Sequence, residues 1–344
     1  MSPIDVTGES SSPAPGEGVR HDHGAVLIGI DLGGTKCLGI ALAPDGTPLG
    51  EKLIPAPRTP TELLTAVPEL VRALAGSSSI ASVGIGVPGL VDRSGVLQVA
   101  PNLPALVAID LQGELRSRLE LPIQVENDAT CAAWGEHQLG AARGLNDVVV
   151  LTLGTGIGGG IITQGSLYRG ANGFAGEVGH MVIDPDGPRC GCGRHGCWET
   201  LASGNGLGRL ARQEASAGRA RRITELAGGD IQVIRGEHVT EAVAEGDSEA
   251  VEILGRVATW IALGLANLTN LLDPEALVVT GGLANVGRVL LDRVTDSFDS
   301  VMQWDTRPRV PILPATLGER AGAIGAARLG LLTPADSEQR IVVQ

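Results

Sequence analysis

The 344-residue sequence has no uninterrupted apolar run of about 18 residues, no long run of Lys or Arg, and only five cysteines. The first absence argues against a membrane helix: 43% of the residues are hydrophobic, but glycine or polar residues break every candidate span. The second argues against a nucleic-acid surface. Phosphate neutralisation needs clustered cations, whereas the formal net charge is -13. Small anionic ligands stay open, since backbone amides can hold them locally. A signal peptide is missing too, for residues 1–24, "MSPIDVTGESSSPAPGEGVRHDHG", mix Ser, Pro, Gly and charge without an apolar core and read as a disordered leader. The chain is therefore expected in the cytoplasm, where closely spaced reduced cysteines bind metal more often than they pair.

Glycine is what the sequence has in excess: 50 residues, against about 7% in ordinary proteins. It is concentrated at turns between β-type runs. "AVLIGIDLGGTKCLGIAL" from Ala25 reads as two strands around a Gly-rich turn, and "VVVLTLGTGIGGGIIT" from Val148 repeats that pattern. Two such starts predict a two-lobed protein, each lobe opening with the same hairpin. Between them, apolar residues at helical spacing predict a helix over Thr61–Ala75, which Pro68 would kink or divide. A strand, "IASVGIGVPGLV", a short helix after "PNLPALVAIDL" and a strand-to-helix step at "LPIQVENDATCAAWGEHQL" follow. The alternation indicates an α/β fold with at least part of its sheet parallel. Val251 to Leu272 traces one apolar helix face, capped by Asp247 or Ser248 and ending at Asp273-Pro274. "EALVVTGGLA" is then a strand, a helix starts near Val286, and Ala315–Leu331 reads as helical.

Three Gly-rich turns could converge on one phosphate chain: "DLGGTK" (Asp31 to Lys36), "LGTGIGGG" (Leu153 to Gly160) and "TGG" (Thr280 to Gly282). None has Walker spacing, and each alone could be a plain hairpin turn. In "VENDA", Asn127 and Asp128 stand where a strand yields to a helix. There a side chain can cap the helix, worth about 1 kcal/mol, or serve as general base for a substrate hydroxyl.

The densest chemistry is "GEVGHMVIDPDGPRCGCGRHGCWET", residues 176–200. His180, Cys190, Cys192 and Cys197 make a Cys₃His set that would complete a tetrahedral zinc site with no open position, hence a structural one. Gly191, Gly193 and Gly196 suit a tight knuckle. Glu177 and Glu199 are left over, free to point at a substrate. Cys37 and Cys131 are expected as small buried hydrophobes. His21 and His23 fall in the leader, and His137, His195 and His238 receive no role.

With "DLGGTK", "VENDA", "LGTGIGGG", "GEVGH", "CGCGRHGCWE" and "VVTGG" in this order, the chain resembles the ROK family of bacterial sugar kinases and regulators over roughly Ala25 to Leu331, its glucokinases most of all. The resemblance implies the α/β, two-lobed fold of actin, Hsp70 and hexokinase, a ribonuclease H-like ATPase fold, with ATP and sugar meeting in the interlobe cleft. It implies a small lobe over 25–124, onto which a helix at about 318–332 packs back, a large lobe over 125–317 with the knuckle at 180–197, and a tail from 333. ATP phosphates would lie among Gly33, Gly34, Thr35 and Lys36, Gly154, Thr155 and Gly156, and Gly281 and Gly282, with Asp31 holding Mg²⁺ through water. Asp128 would take the proton from the sugar 6-hydroxyl. Asn102, Asn127, Asp128, Glu177, His180 and Glu199 would bind the sugar, with zinc behind His180. A homodimer is implied as well.

The family often carries an aromatic residue after the Asn-Leu-Pro of the sugar loop, whereas "PNLPALVAIDL" continues with small and aliphatic residues. Glucose is the expected substrate, with N-acetylhexosamine or mannose as rivals and inorganic polyphosphate as an alternative donor. A sugar-responsive regulator is the alternative from another class, but the Pro/Ser/Gly-rich leader cannot supply a helix-turn-helix.

Overall fold

The expected hairpin forms the centre of the first sheet: β1 (Val26–Leu32) and β2 (Lys36–Leu42) pair antiparallel, and β3 (Pro48–Pro55) continues them to an exposed edge. The computed structural model describes residues 24–101, 103–302 and 307–331, so the leader histidines His21 and His23, Asn102 and the tail lie outside the described residues. Helix α1 (Pro60–Ala75) starts at a capping box in which Thr59 accepts from the Glu62 N–H, and it buries Leu63, Val67, Leu70 and Val71. Pro68 does not divide it. The ring removes the bond that Leu64 O would have accepted, yet the buried face on both sides keeps the helix continuous. After β4 (Ile80–Val87), parallel to β1, come the short hairpin β5 (Leu90–Val91) and β6 (Leu97–Val99), then α2 (Leu111–Leu119) and β7 (Ile123–Asn127), parallel to β4. The first sheet thus runs β3-β2-β1-β4-β7.

Helix α3 (Asp128–Leu139) leads to the second hairpin, β8 (Val148–Leu153) and β9 (Ile157–Thr163), extended by β10 (Ser166–Leu167). A helical layer follows: α4 (Trp198–Ala202), α5 (Gly204–Ser216), α6 (Arg221–Leu226), α7 (Gly236–Ala244) and α8 (Ser248–Leu272). Then β11 (Ala276–Thr280) pairs parallel with β8, α9 (Arg288–Val301) returns, and β12 (Ile312–Pro314) pairs parallel with β11. The order β10-β9-β8-β11-β12 repeats the first sheet strand for strand, antiparallel pairs and parallel pairs in the same places. The internal repeat read from two glycine-rich hairpins is therefore a repeat of whole sheets.

Helix α8 is long and apolar enough to cross a membrane by length and composition, with a mean hydropathy of 1.3. Its apolar face instead forms core: Leu254, Val257, Ile261 and Leu265 are buried in one cluster with Trp198 and Leu207. Asp247 caps it, accepting from the Ala250 N–H, and Asp273 ends it in the left-handed region at φ 46°. Helix α9 starts at Arg288, after a 3₁₀ turn over Gly282–Val286.

Of the stretch 315–331, residues Gly318–Arg320 form a 3₁₀ turn that leads into α10 (Ala321–Leu329). Its approach is fixed by buried Glu136 of α3, whose carboxylate accepts from the N–H groups of Ala141, Thr316 and Leu317. Helix α10 lies directly on β1 and β4. A Cβ at Gly29 or Gly84 would run into the carbonyl oxygens of Ala323 or Ala326, so only glycine permits the approach.

Candidate active site

Three turns open at strand ends, as the hairpin pattern requires. At Gly34, Gly154 and Gly282 an added Cβ would meet no atom within 4 Å, and none of the three has a positive φ. Neither packing nor backbone conformation calls for glycine there. Gly281 is different: its φ is 98° and a Cβ would strike the backbone of Leu153, so it serves the chain path. Gly154, Thr155 and Gly282 come together on a cavity of about 780 Å³, also lined by Asn205, Arg212, Gln232, Arg235, Glu237 and Thr240. The sequence reading missed these six. They come from separate elements of the helical layer, and only the glycines at 204, 206 and 208 signalled that something approaches closely there. The Gly33–Lys36 turn opens on a second cavity of about 810 Å³, shared with Asp31, Glu51, Glu319 and Arg320.

The two readings of "VENDA" divide between two residues. Asn127 is the cap, its Oδ1 accepting from the Thr130 N–H at 2.9 Å, while its Nδ2 donates to Gly89 O at 3.0 Å. One amide hydrogen of Asn127 is left for another acceptor. Asp128 is the first residue of α3, with Oδ1 accepting from the Ala129 N–H at 2.8 Å and its own backbone N–H also close to the carboxylate. Burial pushes the Asp128 carboxyl up to about 6; the Ala129 N–H opposes this, and the negative charge of Glu177 adds to it. Asp31, at the end of β1, is pushed up to about 7 by burial and then by Asp128. The α10 N-terminus closes over Asp31, so that a Cβ at Gly322 would stand 2.6 Å from its Oδ2. Two desolvated carboxylates thus stand within electrostatic reach of each other, a common mark of acid–base chemistry.

The loop after β10 carries the third part. Ligand atoms of His180, Cys190, Cys192 and Cys197 lie within 4.8 Å of one another, with Cys192 Sγ 3.5 Å from Cys197 Sγ and Cys190 Sγ 3.7 Å from His180 Nδ1. A tetrahedron with metal–sulfur bonds of about 2.3 Å has edges of about 3.8 Å, so the donor set suits zinc once its widest separation, up to 4.8 Å, closes by about 1 Å. Gly196, at φ 64°, packs so tightly on the Asp184 carbonyl that no side chain would fit. His180 turns Nδ1 to the cysteines and leaves Nε2 on the far side, 3.9 Å from Glu177 Oε2. Glu199 also leans on the knuckle: its Oε1 accepts from the Cys190 thiol at 3.1 Å and lies 3.5 Å from His180 Nδ1. Its Oε2 faces the Gly156 turn, 2.7 Å from where a Cβ would be.

Among the remaining residues, Cys37 and Cys131 are buried as expected. His137 stacks on Trp134 and bonds Leu145 O, His195 bonds Gly187 O, and His238 accepts from the Arg235 N–H. All three are structural.

The ROK family model matches residues 27–331. The chain is 40% identical over 308 residues to the glucokinase of Streptomyces coelicolor, covering 88% of this chain and 97% of that protein. It is 34% identical over 307 residues to the N-acetylmannosamine kinase of Escherichia fergusonii, with 88% and 97% covered. Its fold is similar to the crystal structure of a ROK family glucokinase from Streptomyces griseus in complex with glucose and AMPPNP, with a TM-score of 0.78 and 39% identity over 89% of this chain and 99% of that one. With repeated sheets, glycine turns and a Cys₃His loop in the family's order over nearly its whole folded length, the chain belongs to the ROK family.

Proposed function

We propose that this chain, a hexose kinase of the ROK family, transfers the γ-phosphoryl group of ATP to the 6-hydroxyl of glucose with Asp128 as general base. One observation carries the reading furthest: Gly34, Gly154 and Gly282 have no structural need to be glycine, and all three border open cavities at strand ends. Phosphate oxygens need such bare backbone, and the helical-layer cavity beside Thr155, at about 780 Å³, has room for a nucleoside. The kinship with a glucokinase crystallised with glucose and AMPPNP supports both ligands.

Phosphoryl transfer asks the protein mainly to position and to balance charge. Asp128 accepts the proton of the hydroxyl as it attacks, and a pKa of about 6 suits a base working near neutrality. Asn102, Asn127, Glu177, His180 and Glu199 hold the other hydroxyls. Mg²⁺, when bound, supplies charge neutralisation at the phosphates. Asp31 would hold it through water, and its burial beside the Gly33–Lys36 turn suits a carboxylate meant to face a cation. Zinc on His180, Cys190, Cys192 and Cys197 would fix the wall that carries Glu177 and Glu199. The site so built works in the cytoplasm, in a homodimer.

A second reading changes the sugar only. The aliphatic "ALVAIDL" after the sugar loop and the likeness to an N-acetylmannosamine kinase favour N-acetylmannosamine as the rival substrate. A coupled assay with ATP and Mg²⁺ over glucose, mannose, N-acetylglucosamine and N-acetylmannosamine decides between them. The highest kcat/KM is expected on glucose; turnover on none of these sugars overturns the proposal. Replacing ATP by inorganic polyphosphate in the same assay tests the donor.

A further inference from the structure

Glu126 is a charged residue inside a strand, and the site described so far gives it no work. It lies on β7, two residues before the base, with its side chain only 3% exposed. Its Oε2 is 2.6 Å from Nη2 of Arg169, itself 10% exposed, and its Oε1 accepts from the Asn127 N–H. Arg169 opens the segment after β10, and its carbonyl accepts from the Ala175 N–H at 3.2 Å, closing a tight loop. That loop runs through Gly176 straight into Glu177. A second arginine grips it from the β5–β6 turn: Arg93 Nε donates to Gly170 O at 2.9 Å. Gly173 packs against the same turn, where a Cβ would be 2.8 Å from Val91 O.

Burying an ion pair is expensive, and a well-packed apolar pair is often as stable or more so. What apolar residues cannot supply is an ionic tie between two backbone segments. Here one segment ends in Asp128 and the other in Glu177, and the charge of Glu177 is already felt at Asp128. We propose that Glu126 and Arg169 are positioning residues for the sugar side of the site, holding the strand that carries the base at a fixed distance from the loop that delivers Glu177. The inference rests on the hexose-kinase reading.

The test uses the full chain and four variants: R169M, R169K, E126Q and the double variant E126Q/R169M. Misplacement of about 1 Å at a reacting centre can cost about 10²-fold. R169M and E126Q are therefore expected to lower kcat/KM for glucose at least about tenfold, through kcat as the base shifts and through a raised KM as Glu177 shifts, with KM for ATP within a factor of about two. R169K, which keeps the charge, should recover part of the loss. The double variant has no unpaired buried charge, so it should regain the melting temperature while its glucose KM and its calorimetric glucose Kd stay raised. If the single variants lose only melting temperature, and the folded enzyme binds and uses glucose like the parent, the pair is structural and the inference falls. Should R169M fail to fold, E126Q and R169K give the same comparison. A parent chain that phosphorylates no hexose overturns the kinase reading, and this inference with it; an active parent with unaffected variants overturns the inference alone.

Discussion

His180 presents Nε2 to Glu177 Oε2 at 3.9 Å while its Nδ1 faces the cysteines. At 3.9 Å this is an electrostatic contact beyond hydrogen-bond reach, and in the proposed function it places the ring between the zinc ligands and a carboxylate offered to the sugar. The protein purified without chelator should contain about one zinc per chain by elemental analysis. Cys192→Ser should lose it and raise KM for glucose at least about tenfold, leaving KM for ATP nearly unchanged. Zinc loss with unchanged glucose kinetics would separate the knuckle from the sugar.

Asp128 is the proposed base. Asp128→Asn should lower kcat by about 10²- to 10⁴-fold with the fold intact. Stability should move the other way. Burial raises the Asp128 carboxyl from its ordinary 3.8 to about 6, so its favourable contribution is complete below about pH 4 and is lost as pH rises through about 6. At pH 8 the Asn variant should therefore melt above the parent, and the gap should close toward pH 4. Calorimetric scans at both pH values check the sign.

The same burial sets the acid limb of activity. Asp128 faces Asp31 and Glu177, both negative when ionised, with the Cys131 thiol nearby. The pH profile of kcat/KM should rise through about pH 6, as an apparent constant of the coupled carboxylates rather than of one of them. Glu177 raises the Asp128 constant, so in Glu177→Gln the limb should move to lower pH, whatever happens to KM. A limb that stays in place would mean that another group titrates.

Glycines at the turns can be tested for ligand room rather than chain path. Gly282→Val adds a side chain where a Cβ meets nothing within 4 Å and φ is not positive. The melting temperature should stay within a few degrees, as for surface changes of about 0.5 kcal/mol. KM for ATP should rise at least about tenfold, since the side chain enters space a phosphate would fill. Gly281→Val, by contrast, should destabilise the fold itself.

Much of this was legible in the sequence because strands, turns and zinc ligands are local signals. The hairpins at β1–β2 and β8–β9, the long helix α8 and the Cys₃His set all show within about 25 residues of chain. Asn127 as a cap and Asp128 as a buried carboxylate needed coordinates, because capping and catalysis favour the same residue types at the same place. Arg212, Gln232 and Arg235 at the helical-layer cavity were invisible for another reason: they meet only when α5 packs against α7 and the turn before it. The contacts of Glu199 with Cys190 and His180 were also out of reach, because sequence spacing counts ligands but does not say what leans on them.

Glu136 shows how far such non-local contacts reach. Its buried carboxylate binds the N–H groups of Ala141, Thr316 and Leu317, joining α3 to the segment that launches α10 over Asp31. Glu136→Ala would leave three backbone donors without that acceptor, at about 1–3 kcal/mol for each that stays buried. A fall in melting temperature of roughly 10 °C is expected for a chain of this size. Glu136→Gln should not restore it fully, because each carboxylate oxygen takes at least two N–H bonds and an amide nitrogen can accept none. Since α10 also covers Asp31, the variants should lose ATP affinity more than glucose affinity. Equal loss of both would mean that the tether supports the whole fold and not the phosphate side in particular.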